Sequence, residues 1–139
     1  MLLLLILPPM NRLHALGLAV AIACTWGCKK EEKPLLSANL HAQCRGCVVS
    51  YAAGVAQSRQ DTVFEVVDPG TGDTLPGTGS WTVHLKDGDN LFFRACRLYG
   101  DSALHGDILI QVDGEVRPLQ ASADTSLDCT EINRTVQGS

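Results

Sequence analysis

Downstream of Cys47 the apolar and polar residues alternate with a period of two. Trp81, Val83 and Leu85 are interleaved with Ser80, Thr82, His84 and Lys86, which predicts a strand with one buried and one wet face. Leu91, Phe93 and Ala95 alternate in the same way with Phe92, Arg94 and Cys96, and Ile108, Ile110 and Val112 with Asp107, Leu109 and Gln111. Shorter runs at Val48–Tyr51, Thr62–Val67 and Thr125–Cys129 read as further strands. No window long enough for a helix carries the 3.6-residue period, and Gly54 weakens the one ambiguous stretch, Ala52–Gln57. Turn chemistry falls between the runs. Asp113-Gly114 has the positive-φ preference of a two-residue hairpin. Asp68-Pro69-Gly70 suits a tight turn with glycine in the left-handed position. The expectation is an all-β, antiparallel, immunoglobulin-like sandwich of about seven short strands. A small barrel is the alternative.

The N-terminal pattern is different. Met10-Asn11-Arg12 precedes an uncharged apolar run from Leu13 to Gly27, and two cysteines, Cys24 and Cys28, each follow small residues. The chain then turns abruptly to Lys29-Lys30-Glu31-Glu32-Lys33-Pro34. This arrangement resembles a bacterial lipoprotein signal, in which cleavage exposes a cysteine whose thiol becomes the thioether of a diacylglycerol. The boundaries implied are a signal over 1–27 (its start at Met1 or at Met10), a charged lipidated tether over 28–43 and a folded domain over 44–139. Cys28 is the favoured lipidation site because the polar tether follows it directly; Cys24, with better upstream residues, is the alternative. An uncleaved anchor is the competing reading, although Leu13–Cys28 is shorter than the ~20 residues a spanning helix needs. A cleaved secreted form is another. Each places the domain outside the cytoplasm, and the lipoprotein reading places it in the bacterial cell envelope, membrane-anchored and either periplasmic or at the cell surface.

Charge narrows the partners. The 139 residues carry a formal net charge of −4, and the first 28 contribute only Arg12, so the remainder holds 10 basic against 15 acidic residues. An acidic domain without a basic stripe is a poor nucleic-acid binder. A folded part of this size has a modest core and gains from cross-links.

Cysteine usage supplies them. Without the leader, Cys44, Cys47, Cys96 and Cys129 remain, an even set in an oxidising compartment. The leading expectation pairs Cys44 with Cys47 and Cys96 with Cys129, with crossed pairings open. Cys44-Arg45-Gly46-Cys47 could also be a redox dithiol or half of a metal site. A redox pair, however, normally sits at a helix N-terminus, and no second C-x-x-C completes a zinc set. Neither a metal nor another cofactor is expected.

Other motifs read as structure. Leu75-Pro76-Gly77-Thr78-Gly79 spells a sortase motif but leads into a soluble strand. Asp87-Gly88-Asp89-Asn90 lacks the spacing and closing glutamate of a calcium loop. His41, His84 and His105 show no nucleophile pattern nearby, so no catalytic constellation is expected.

Val49-Ser50-Tyr51, Val63-Phe64-Glu65, Leu75-Pro76 followed by Trp81, the strand bearing Ala95, and Ile108 to Gly114 together resemble the mycobacterial membrane protein small family of extracytoplasmic β-sandwiches. The resemblance implies a sandwich fold and a role as accessory to a membrane exporter of lipids or siderophores. The functional expectation is therefore a lipid-anchored, non-enzymatic binding or accessory protein of the envelope, partnered by the membrane and an envelope or transporter protein. A thiol-disulfide or metal-dependent protein built on Cys44 and Cys47 is the rival.

Overall fold

A computed structural model describes residues 32–98 and 106–139. The signal segment, Cys24, Cys28, Asp101 and His105 lie outside them. The elements are β1 (Leu35–Cys44), β2 (Cys47–Ala53), β3 (Arg59–Val63), β4 (Val66–Val67), β5 (Thr74–Leu75), β6 (Gly77–Lys86), β7 (Asn90–Arg97), β8 (Ile108–Gly114), β9 (Leu119–Ala123) and β10 (Cys129–Thr135). Two four-stranded sheets form, ordered β6-β1-β8-β9 and β10-β7-β2-β3, with β4 and β5 as a separate two-stranded ribbon. Every pairing is antiparallel. The all-β antiparallel expectation holds.

The core lies between the two sheets. Leu40, Leu85, Ile108, Ile110 and Val112 come from the first, Val49, Leu91, Phe93, Ala95 and Ile132 from the second, and all are buried in one cluster. Trp81 of the first sheet reaches across to the second, its ring 5.6 Å from Tyr51 and edge-on to Phe93 at 6.3 Å. The alternation read in β6, β7 and β8 is the alternation of burial seen there.

Several expectations need correction. The domain begins at Leu35, not Cys44: the segment assigned to the tether is β1, an interior strand paired with β6 on one side and β8 on the other. Its buried face is Ala38, Leu40, Ala42 and Cys44, and the two alanines make that face a faint hydrophobic signal. Asp113-Gly114 is not a two-residue hairpin, because β8 and β9 pair only up to Val112↔Leu119. Gly114, at φ 100°, lies against β1 instead, and Glu115 N–H donates to Ser37 O at 2.9 Å. In the Asp68 turn the left-handed residue is Gly72 (φ 76°), not Gly70. The run Thr125–Cys129 is a turn held by Asp124, whose carboxylate accepts from the Ser126 backbone and hydroxyl, and the strand starts at Cys129. The final strand also departs from the immunoglobulin order, in which the last two strands share a sheet. Here β10 pairs with β7, and the β8–β9 hairpin of the opposite sheet intervenes.

Candidate binding end of the sandwich

The registers sort the connections into two ends. β1 runs from Leu35, opposite Lys86, to Cys44, opposite Gly77. At the Leu35 end the described chain enters, and the connections are short and tied to one another. Lys33 donates from Nζ to Asp87 O at 2.9 Å, and Asp87 Oδ1 accepts from Gly138 N–H at 3.0 Å. Backbone bonds link Gly88 and Asp89 to Val136, Arg117 to Gln137 and Ser139 to Glu115. The Asp87–Asn90 loop, weighed as a weak calcium candidate, thus spends its carboxylates on the fold: Asp89 Oδ2 accepts from Lys86 N–H at 2.8 Å.

The opposite end holds the β1–β2 turn, the ribbon between β3 and β6, and the β7–β8 and β9–β10 connections. Both disulfides stand here. Cys44–Cys47 closes the β1–β2 turn, and Cys96–Cys129 joins directly opposed residues of β7 and β10 with Cα atoms 4.1 Å apart. These are the pairings expected. Arg97 completes the brace: its guanidinium donates to the carbonyls of Gly106 (2.6 Å), Asp124 (2.7 Å) and Leu127 (3.2 Å), which holds two connections together through one side chain. Leu98 N–H donates to Gly46 O at 3.1 Å and adds the β1–β2 turn to the same assembly.

Between these braced connections lies a cleft of about 560 Å³, lined among others by Gln43, Arg45, Pro76, Ile108, Ser122 and Thr125. Arg45 Nε is buried there with no hydrogen-bond partner among the described residues. Beside the cleft stands the ribbon, where Phe64 (69%), Val67 (59%), Val66 (54%) and Leu75 (44%) are exposed. The sortase-like motif is the root of this ribbon. A Cβ at Gly77 would overlap the Phe64 carbonyl, and one at Gly79 would meet the Trp81 ring and Val63. Both glycines permit close packing.

One cluster was not foreseen from the sequence. His41 Nδ1 is 2.9 Å from Ser80 Oγ, and His41 Nε2 is 3.4 Å from Asp113 Oδ2. Asn39 extends the set, donating to Asp113 Oδ1 and accepting from Thr82. The three residue types match a hydrolytic triad, yet the two ring nitrogens have the opposite assignment, with the serine on Nδ1 rather than Nε2. The group is exposed to water on the outer face of the first sheet. It ties β6, β1 and β8 together across their polar face. His84 makes a similar tie to Ser37 Oγ at 3.3 Å. No signal in the sequence marks either tie, since the partners meet only through strand register.

Cys44 and Cys47 are buried. Among the described residues no group of three or more His, Cys, Asp or Glu side chains is placed to hold a metal ion, and no helix is long and apolar enough to cross a membrane. The chain is thus a small antiparallel β-protein braced by two disulfides at one end. Comparison with protein-family models, curated proteins and solved structures finds no match.

Proposed function

We propose that this is a lipid-anchored, extracytoplasmic, non-enzymatic binding or accessory protein of the bacterial cell envelope, working from the end of the sandwich opposite the one at which Lys33 leads into β1. The observation that carries the reading is the division of labour between the ends. The described chain enters at Lys33, where the connections are short and mutually tied. The two disulfides, the Arg97 brace, the cleft and the exposed apolar ribbon are gathered about 30 Å away, at the far end of the ten-residue β1. Rigid scaffolds commonly carry recognition on the loops of one end.

Burial of Cys44 and Cys47 supports a structural role for that disulfide over the rival redox reading, because reactive thiols are partly exposed in electropositive surroundings. The inverted, exposed Ser80–His41–Asp113 geometry supports the non-enzymatic reading. Labelled palmitate tests the anchor. In a bacterial host the protein incorporates it and partitions into detergent, and Cys28→Ala abolishes both. Persistence in that variant with loss in Cys24→Ala moves the site to Cys24, and no labelling in the unaltered protein removes the anchor.

A further inference from the structure

The ribbon is unusual in its chemistry as well as its exposure. Val66 pairs with Leu75 and Val67 with Thr74, so apolar side chains occur on both of its faces. Phe64 adds an exposed ring at its root. Around them stand Glu65, Asp68 and Asp73, and residues 64–76 contain no lysine or arginine. Asp68 is partly engaged, since its Oδ1 accepts from Gly70 N–H at 2.8 Å and shapes the tip. No hydrogen bond or ion pair within the described residues occupies the carboxylates of Glu65 and Asp73. Soluble proteins rarely leave several large apolar residues together on a protruding element without an interaction to make.

Three occupants can be weighed. A bilayer fits poorly. Anionic lipid attracts basic segments, not acidic ones. A second copy fits poorly too, because a two-fold contact sets each patch against itself and would oppose Glu65, Asp68 and Asp73 to their own counterparts. An apolar ridge with an acidic rim matches a protein groove with an apolar floor and a rim of lysine or arginine.

We propose that the β4–β5 ribbon docks into such a basic-rimmed apolar groove on a separate envelope protein. This rests on the reading of the far end as the working end, and it names that partner's chemistry. Exposed valines and Phe64 supply the contact area, and Glu65 and Asp73 set orientation and exclude other surfaces. Gly77 holds the ribbon's root against β6, so the ridge is presented pre-ordered.

The test is photocrosslinking in cells with the full chain, placing the photoreactive side chain at position 71 on the ribbon tip. The expected result is one discrete protein adduct whose crosslinked peptide combines apolar residues with Lys or Arg. Its yield falls about tenfold or more in Glu65→Lys/Asp73→Lys and also falls in Val66→Thr/Val67→Thr, which keeps strand propensity and shape while removing apolar surface. Unchanged melting temperature and absence of free thiol in the purified variants show that the sandwich itself is intact. An adduct with a second copy, an adduct with lipid only, no adduct, a peptide without basic residues, or a yield indifferent to both double variants overturns the proposal. Palmitate labelling in the same cells is read separately: labelling with no adduct overturns the docking alone, and its absence overturns the anchor alone.

Discussion

Cys44 ends an interior strand of one sheet and Cys47 begins an interior strand of the other, so the disulfide between them fastens the two sheets at the far end of the sandwich, with Cα atoms 6.1 Å apart. The second disulfide fastens β7 to β10 within one sheet at that same end. The bonds differ in the loop they close, 3 against 33 residues of separation.

Loop length sets the expected cost of removing each bond. Alanine pairs are the suitable variants, because serine would add hydroxyls at the buried positions 44 and 47. By chain entropy, Cys96→Ala/Cys129→Ala loses about 4 kcal/mol and Cys44→Ala/Cys47→Ala about 2 kcal/mol. Urea denaturation of the three proteins checks the order. The unaltered domain shows no free thiol when denatured without reductant.

Arg97 carries a separate load at the same end. Replacing it with alanine frees three backbone carbonyls at once, and hydrogen bonds from a charged donor contribute about 1.5–3 kcal/mol each when buried. Arg97 is only half-buried, so Arg97→Ala is expected to cost about 2–3 kcal/mol in total. Hydrogen exchange rises at Gly106 and at residues 124–128, while the Lys33 end is unchanged.

Trp81 and Asp61 give a pH-dependent tie. The Trp81 indole N–H donates to Asp61 Oδ2 at 2.9 Å, and this bond, with a second from the Thr62 backbone, holds the Asp61 carboxyl below its ordinary 3.8. The unfolded chain therefore binds the proton first as pH falls. The contribution is whole above pH 3.8 and is lost as pH drops through the lowered value. Trp81→Phe should lessen the loss of stability as pH falls from 3.8 through the lowered value; an acid limb identical to the parent's would contradict this assignment.

The Ser80–His41–Asp113 set makes a chemical prediction. As a tie between strands, Ser80 stays unlabelled by a fluorophosphonate probe, and Ser80→Ala changes stability slightly without changing any hydrolytic rate. Stoichiometric labelling of Ser80 would establish an active nucleophile.

Much of the fold was legible because β6, β7 and β8 alternate large apolar side chains with polar ones. β1 was lost for the opposite reason. Its buried face alternates alanine with leucine, and its polar face, Asn39 and His41, is paired to neighbours rather than solvated. The break between β3 and β4 was invisible because a distant glycine, Gly77, sets it by admitting the Phe64 carbonyl. The disulfide partners could be anticipated from strand assignment. The Arg45 cleft, the Arg97 brace and the His41 cluster could not, since each depends on residues brought together by sheet register.

The most direct test of the whole account measures which end faces the membrane. The lipidated full chain is placed in vesicles that contain an acceptor-labelled lipid, with a donor fluorophore on an unnatural side chain at position 117 or at position 71. Position 117 lies at the end where the described chain enters, and position 71 at the tip of the ribbon. The account predicts strong energy transfer from position 117 and weak transfer from position 71, consistent with a difference in height of about 30 Å along the strands. Equal transfer from the two positions, or stronger transfer from position 71, contradicts it.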